Sequence, residues 1–152
     1  MKVTGKKSIS TLIKIFLQIL IGIGIIVLVL LPLFLQKYIQ YINPALEYYP
    51  ALILLYVSGI PAIIIVYEFI KLFGSLKEDN PFIESNVKAL KISSICSLII
   101  AIEYGGGMFL VTNSIFGIII VGVFIIAWLG LYILAELLQK AIEYKEENDL
   151  TI

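Results

Sequence analysis

Histidine is absent from this chain, and Cys96 is the only cysteine among 152 residues. A disulfide within the chain is therefore excluded, as are zinc sites of the usual Cys/His kind. Cys96 lies in an apolar run, where a thiol is inert packing rather than a reactive group. Charge is scarce too: 14% of residues are charged and 61% are apolar, against about 25% and roughly 45–50% in a soluble domain. A soluble core of this length could not hide so much apolar surface. No nucleophile–base pair and no metal-ligand spacing is present, so the sequence predicts neither an enzyme nor a cofactor. The formal net charge is zero, which gives no basis for direct nucleic-acid binding.

What is present is four long apolar runs, at about 15–35, 51–73, 92–111 and 115–135. About 20 helical residues rise roughly 30 Å, the thickness of the hydrocarbon layer. A lone segment satisfies its own backbone in lipid only as a helix. The expected fold is thus all-α, a single domain of four transmembrane helices in an antiparallel bundle, with a tail over 136–152. The first run follows Lys2, Lys6, Lys7 and Lys14, as a signal peptide would. It is too long for an h-region and leads into Gln36-Lys37-Tyr38 without a small-residue cleavage site, so it reads as a retained helix.

Pro32 and Pro61 lie inside runs one and two. Each frees the carbonyl four residues earlier, at Leu28 and Val57, and each predicts a kink; Ser58 stands near the second gap. Tyr38, Tyr41, Tyr48 and Tyr49 cluster between these runs as an interfacial belt. Thr112-Asn113-Ser114 is short enough to force runs three and four into a hairpin.

Lysine counting sets the topology. Ten of the eleven lysines fall on the N-terminal segment, the middle loop with its flanks, and the tail; Lys37 alone lies elsewhere. Positive-inside bias places both termini and the middle loop in the cytoplasm. The protein is expected to be a multi-pass protein of a bacterial inner membrane.

In the middle loop, Asp79 or Asn80 is expected to cap a helix with Pro81 at its first position, favoured further by Glu84. Phe82, Ile83, Val87 and Leu90 give it an apolar side. It then either lies along the membrane surface or simply extends the third helix. After run four, Leu134, Leu137, Leu138, Ala141 and Ile142 continue the helical pattern into an acidic tail containing Glu143, Glu146, Glu147 and Asp149. Asn80, Pro81, Phe82, Asp149 and Leu150 are the candidate contacts for a partner.

A polar residue within a span is a functional candidate. Glu68 is one turn from Lys71 and is explained by pairing, and Glu136 lies at a boundary. Glu103 falls near the middle of run three, where a charge costs at least about 2.5–3.5 kcal/mol. It should be neutral, hydrogen-bonded to Tyr56 or Ser58, or facing a wet cavity. Gly105-Gly106-Gly107 beside it would loosen the helix and admit water. Run three also carries a small-residue stripe, Ala89, Ser93, Ser97, Ala101 and Gly105, suited to close helix packing. Glu103 is roughly 200° from Ala101, so both faces seek protein or water. The third helix is either central or shared with a second copy of the chain.

Glu47-Tyr48-Tyr49-Pro50, Tyr56 through Gly59-Ile60-Pro61, Tyr67 with Lys71-Leu72, Asn86-Val87-Lys88-Ala89-Leu90-Lys91 and Leu137-Leu138-Gln139-Lys140-Ala141-Ile142, followed by Glu147-Asn148-Asp149-Leu150-Thr151, resemble the YoaS-like family of small bacterial membrane proteins. The resemblance spans nearly the whole chain. It implies a four-helix inner-membrane protein, often encoded beside a small helix-turn-helix transcription regulator, and it brings no activity or site residues. An acidic residue at the place of Glu103 is not part of that pattern.

Two functions follow as expectations. The first is a regulatory or interaction protein that presents its cytoplasmic loop and tail to a partner such as a transcription regulator. The second is a small dimeric proton-coupled exporter using Glu103; small multidrug exporters carry a membrane glutamate too, but in their first helix.

Overall fold

Length and apolarity leave each run one way to cross a bilayer, and the computed structural model is helical accordingly. It describes residues 3–77, 81–107 and 115–150, with side chains over 9–76, 81–107 and 117–148. There are four helices among these: α1 (Val3–Tyr41), α2 (Tyr48–Lys77), α3 (Glu84–Gly107) and α4 (Ile115–Leu150). All four are long and apolar enough to span a membrane. Thr112 to Ser114 lie outside the described residues.

The helices pack in chain order. Among the described residues α1 lies on α2, α2 on α3, and α3 on α4, with no close approach of α1 to α3 or α4, or of α2 to α4. The bundle is an antiparallel row, open along α1 and α4. Its registers come from cross-helix contacts: Ser10 donates to the Phe73 carbonyl at 2.8 Å, Ser75 meets Asn86, and Ser94 donates to the Trp128 carbonyl at 3.1 Å. These pairings bring the middles of all four spans to one level, near Ile25, Ala62, Ile100 and Ile125.

The first helix is joined closely to the second. A methyl group on Gly59 would stand 2.6 Å from Leu28 Cδ2, and one on Gly24 would stand 3.5 Å from Ile63. Glycine at 59 therefore gives the Leu28 side chain its room against α2. Pro32 and Pro61 both lie inside uninterrupted helices. The Leu28 carbonyl that Pro32 leaves open accepts a hydrogen bond from Tyr56 Oη of α2 at 3.0 Å. The proline gap is thus closed by the neighbouring helix, as the absence of water in the hydrocarbon requires. The gap at Val57 is not filled by Ser58, which donates to Leu54 at 2.8 Å and also lies near the Leu55 carbonyl.

The third helix is the exception in composition and in place. It is the least apolar of the four, yet half of its span is buried, against none of α1's and about a tenth or less of the others'. Asn86, Ser93, Ser94 and Ser97 are all buried. Lipid offers such groups nothing, so α3 sits between α2 and α4 and serine meets protein. Ser97 also bonds back to the Ser93 carbonyl at 2.9 Å, the local pairing open to a hydroxyl inside a helix.

Replacing Tyr56 with Phe should lower stability by about 1 kcal/mol, the typical worth of an interhelical hydrogen bond in a membrane. Pro32→Ala, which restores the helix's own bond, should remove most of that cost, and a double-mutant cycle of unfolding in bicelles measures the coupling.

Candidate functional site

Two places in this row of helices carry polar side chains whose positions are not explained by span formation alone: the end that holds most of the lysines, and Glu103.

At the lysine-rich end the α2–α3 connection is tied down by one amide. Asn86 Nδ2 donates to Ser75 Oγ at 2.7 Å and to the Pro81 carbonyl at 2.8 Å, and Ser75 Oγ donates onward to the Leu72 carbonyl at 2.8 Å. This corrects the expected helix start. Pro81 and Phe82 are not helical, and α3 begins at Glu84. The Asn86 side chain takes the Pro81 carbonyl that a helix starting there would offer to the amide of Ser85, while the Asn86 amide closes a tight turn onto the Ile83 carbonyl at 3.0 Å. Asp79 and Asn80, the expected caps, lie outside the described residues. Phe82 is half-exposed beside this turn.

The apolar side of the first turns of α3 does not lie on the membrane surface. Val87 and Leu90 are buried with Ala135 and Ile142 of α4, and Leu72, Leu131 and Leu138 pack around them. An ion pair between Lys91 Nζ and Glu136 at 3.3 Å joins the same two helices at the edge of this cluster. Beyond it α4 continues without a break to Leu150. At 36 residues it is about 54 Å long, well over the roughly 30 Å of the hydrocarbon layer. Its last turns expose Tyr144, Lys145 and Glu146, while Gln139 bonds to Glu143 at 3.3 Å along the helix. Asp149 and Leu150 fall in the final turn, and their side chains lie outside the described ones.

Glu68, in the same half of the membrane, is buried and paired with Lys71 at 2.9 Å. The lysine also stands 4.5 Å from the centre of the Tyr67 ring, so both apolar stem and charged head are accommodated. Neither residue is left for other work.

Glu103 differs. Both carboxyl oxygens are shielded, and neither has a hydrogen-bond partner among the described residues. The two partners expected for it are engaged elsewhere: Tyr56 with Leu28, and Ser58 with its own helix. The expected loosening at Gly105-Gly106-Gly107 is also corrected, because α3 remains helical through Gly107. Gly107 is instead where the Leu54 side chain of α2 packs against the α3 backbone, and a Cβ there would require that side chain to shift; Gly105 and Gly106 face open space. The small-residue stripe turns inward: Ala89, Ser93, Ser97 and Ala101 are buried within the single chain, and Gly105 is half-buried. Among the described residues no cluster of His, Cys, Asp and Glu is placed to hold a metal ion.

Sequence reasoning missed the Asn86 clamp, the Lys91–Glu136 pair and the Tyr56–Leu28 bond. Only the last had a signal, a tyrosine in the second run opposite a carbonyl known to be open. The other two depend on the registers between helices, which spacing within one helix does not carry.

Residues 36–152 match the model of a family described as "Protein of unknown function (DUF2975)". The chain is 36% identical over 154 aligned positions, covering 91% of it and 96% of the relative, to "Uncharacterized membrane protein YoaS" of Bacillus subtilis (strain 168). No solved structure matches the chain.

Two substitutions separate structural roles here. Glu103→Leu should raise stability by about 1–3 kcal/mol, because it removes a shielded acceptor with no partner among the described residues; a lowered melting temperature of the purified protein would instead reveal a bond made by Glu103. Asn86→Ala should lower stability by about 2 kcal/mol, since it leaves the Pro81 carbonyl without a donor, and should speed limited proteolysis in the α2–α3 connection.

Proposed function

The chain belongs to the DUF2975 family, and from that premise we propose that it is a membrane-anchored interaction protein whose cytoplasmic end holds a partner protein. The reading places both termini in the cytoplasm, with the spans in the inner membrane of a bacterium. The uneven lysines support that orientation: ten stand at the end that carries the termini, and Lys37 alone at the other.

The observation that carries the function is the continuous passage of α4 out of the membrane. The helix is locked to α3 through Val87, Leu90, Ala135 and Ile142 and presents Tyr144, Lys145 and Glu146 beyond that cluster. An anchored helix with its outward side exposed is a fixed surface, and fixed surfaces bind with less loss of conformational entropy than loose tails. A soluble protein with its own mixed-charge face, such as a transcription regulator, fits the chemistry. The absence of histidine and of any nucleophile–base pair in the sequence supports a role without catalysis.

A second reading has one observation behind it. Glu103 is a shielded membrane carboxyl with no partner among the described residues, the kind of group that a proton-coupled exporter working as a dimer would use. The interaction reading is preferred because α3 and α4 build an ordered surface outside the membrane.

Orientation is tested with single cysteines in a Cys96→Ser background. Asn43→Cys should react with a membrane-impermeant maleimide in intact cells, and Thr151→Cys only after permeabilisation. Cross-linking in native membranes followed by identification of bound proteins tests the function: Tyr144→Ala combined with Lys145→Glu should remove a partner seen with the unaltered chain. An identical partner set in both would sink the role of the tail. Proton-driven efflux in vesicles that is lost in Glu103→Gln would favour the second reading.

A further inference from the structure

We propose that the outer flank of α3 at the lysine-rich end is a binding site for a phosphoethanolamine lipid headgroup. A cleft of about 460 Å³ opens there, bounded by the first turns of α3 and by Gln139 of α4. Its lining changes character with depth. Counting from Ile100 at the mid-level, with 1.5 Å per residue, Ile95 and Ile92 lie about 8 and 12 Å out, within the half-thickness of the hydrocarbon, about 15 Å. Lys91 follows at about 14 Å, Lys88 at about 18 Å and Glu84 at about 24 Å.

The order along the cleft is therefore apolar, then cationic, then anionic. A phospholipid standing in the same leaflet presents the complement of that sequence only when its phosphate is followed by an ammonium: acyl chains, phosphate, amine. Ile95 is 58% exposed and offers the acyl chains a surface. Lys88 is exposed and has no ion-pair partner among the described residues, so its ammonium is available to a phosphate. Lys91 is held at the same rim by Glu136 at 3.3 Å, which fixes the direction of its charge while offsetting part of it. Glu84, one helical turn above Lys88, lies in the reach of the two-carbon bridge between phosphate and amine.

The acidic residues decide the lipid class. With Glu84 and Glu136 set against Lys88 and Lys91, the cleft is neutral in sum. A purely anionic headgroup would meet the Glu84 carboxylate at the rim and a Lys91 charge already offset by Glu136, and would gain little from either. A zwitterionic headgroup pairs with both signs. Ser85, exposed at the same rim, and Gln139 line the cleft as further polar groups.

The test uses the full chain in nanodiscs of phosphatidylcholine, whose quaternary amine has no N–H to donate, doped with equal amounts of phosphatidylethanolamine and phosphatidylglycerol. Lipids retained on release are counted by native mass spectrometry. The unaltered chain should retain phosphatidylethanolamine severalfold over phosphatidylglycerol. Lys88→Gln, at an exposed position that leaves the α3–α4 contacts intact, should reduce retention of both lipids. Glu84→Gln should abolish the preference while leaving a phosphate lipid bound. Equal retention of the two lipids by the unaltered chain, a preference for phosphatidylglycerol, or retention unchanged in Lys88→Gln would each overturn the proposal.

Discussion

A bilayer cannot hydrogen-bond the groups that enter it, and the whole arrangement follows from how this chain places the ones it carries. The constraint falls hardest on α3, whose Ser93, Ser94 and Ser97 would be unfavourable against lipid. Burying them demands a protein neighbour on each side, and α2 and α4 supply those neighbours. The ends of the row, α1 and α4, are apolar enough to face lipid without help. The order of the helices in space thus reflects the order of their tolerance for hydrocarbon.

The same constraint explains the individual bonds. Tyr56 closes the carbonyl that Pro32 opens, Ser94 reaches across to Trp128, and Ser58 and Ser97 turn back on their own helices. Each polar group finds an acceptor within a few residues or on the adjoining helix. Glu103 is the one shielded side chain among those described for which no such partner is formed. A shielded carboxyl without a described partner costs stability, whereas the lysine-rich end is held together by several contacts.

That end is more than a set of loops. The Asn86 amide, the Val87–Leu90–Ala135–Ile142 cluster and the Lys91–Glu136 pair join three helices where they leave the hydrocarbon. The result is a rigid base from which α4 projects. A flexible tail would lose conformational freedom on meeting a partner, whereas a helix already fixed at its root loses less. The cleft beside Lys88 lies on the flank of this base, so the proposed surfaces for a soluble partner and for a lipid headgroup are adjoining faces of the same helix pair.

The four spans were legible in the chain because crossing a bilayer is a matter of length and apolarity, both of which are local. The pairing of Glu68 with Lys71 was legible for the same reason, being one turn of one helix. The lysine asymmetry is likewise written along the chain. The start of α3 was not, because Asn86 draws the Pro81 carbonyl away from the helix through a contact shared with Ser75 on another element. Nor was the fate of the triple glycine, which composition alone reads as weakness and which Leu54 makes a point of close approach. The sequence by itself determined the class, the number of spans and their lengths. Only the tertiary structure decided that the helices stand in a row with α3 inside, that Glu103 goes without a partner among the described residues, and that α4 rises from a fixed base. Those outcomes depend on register between helices, and register is set by side chains meeting across a gap that no periodicity within one helix records.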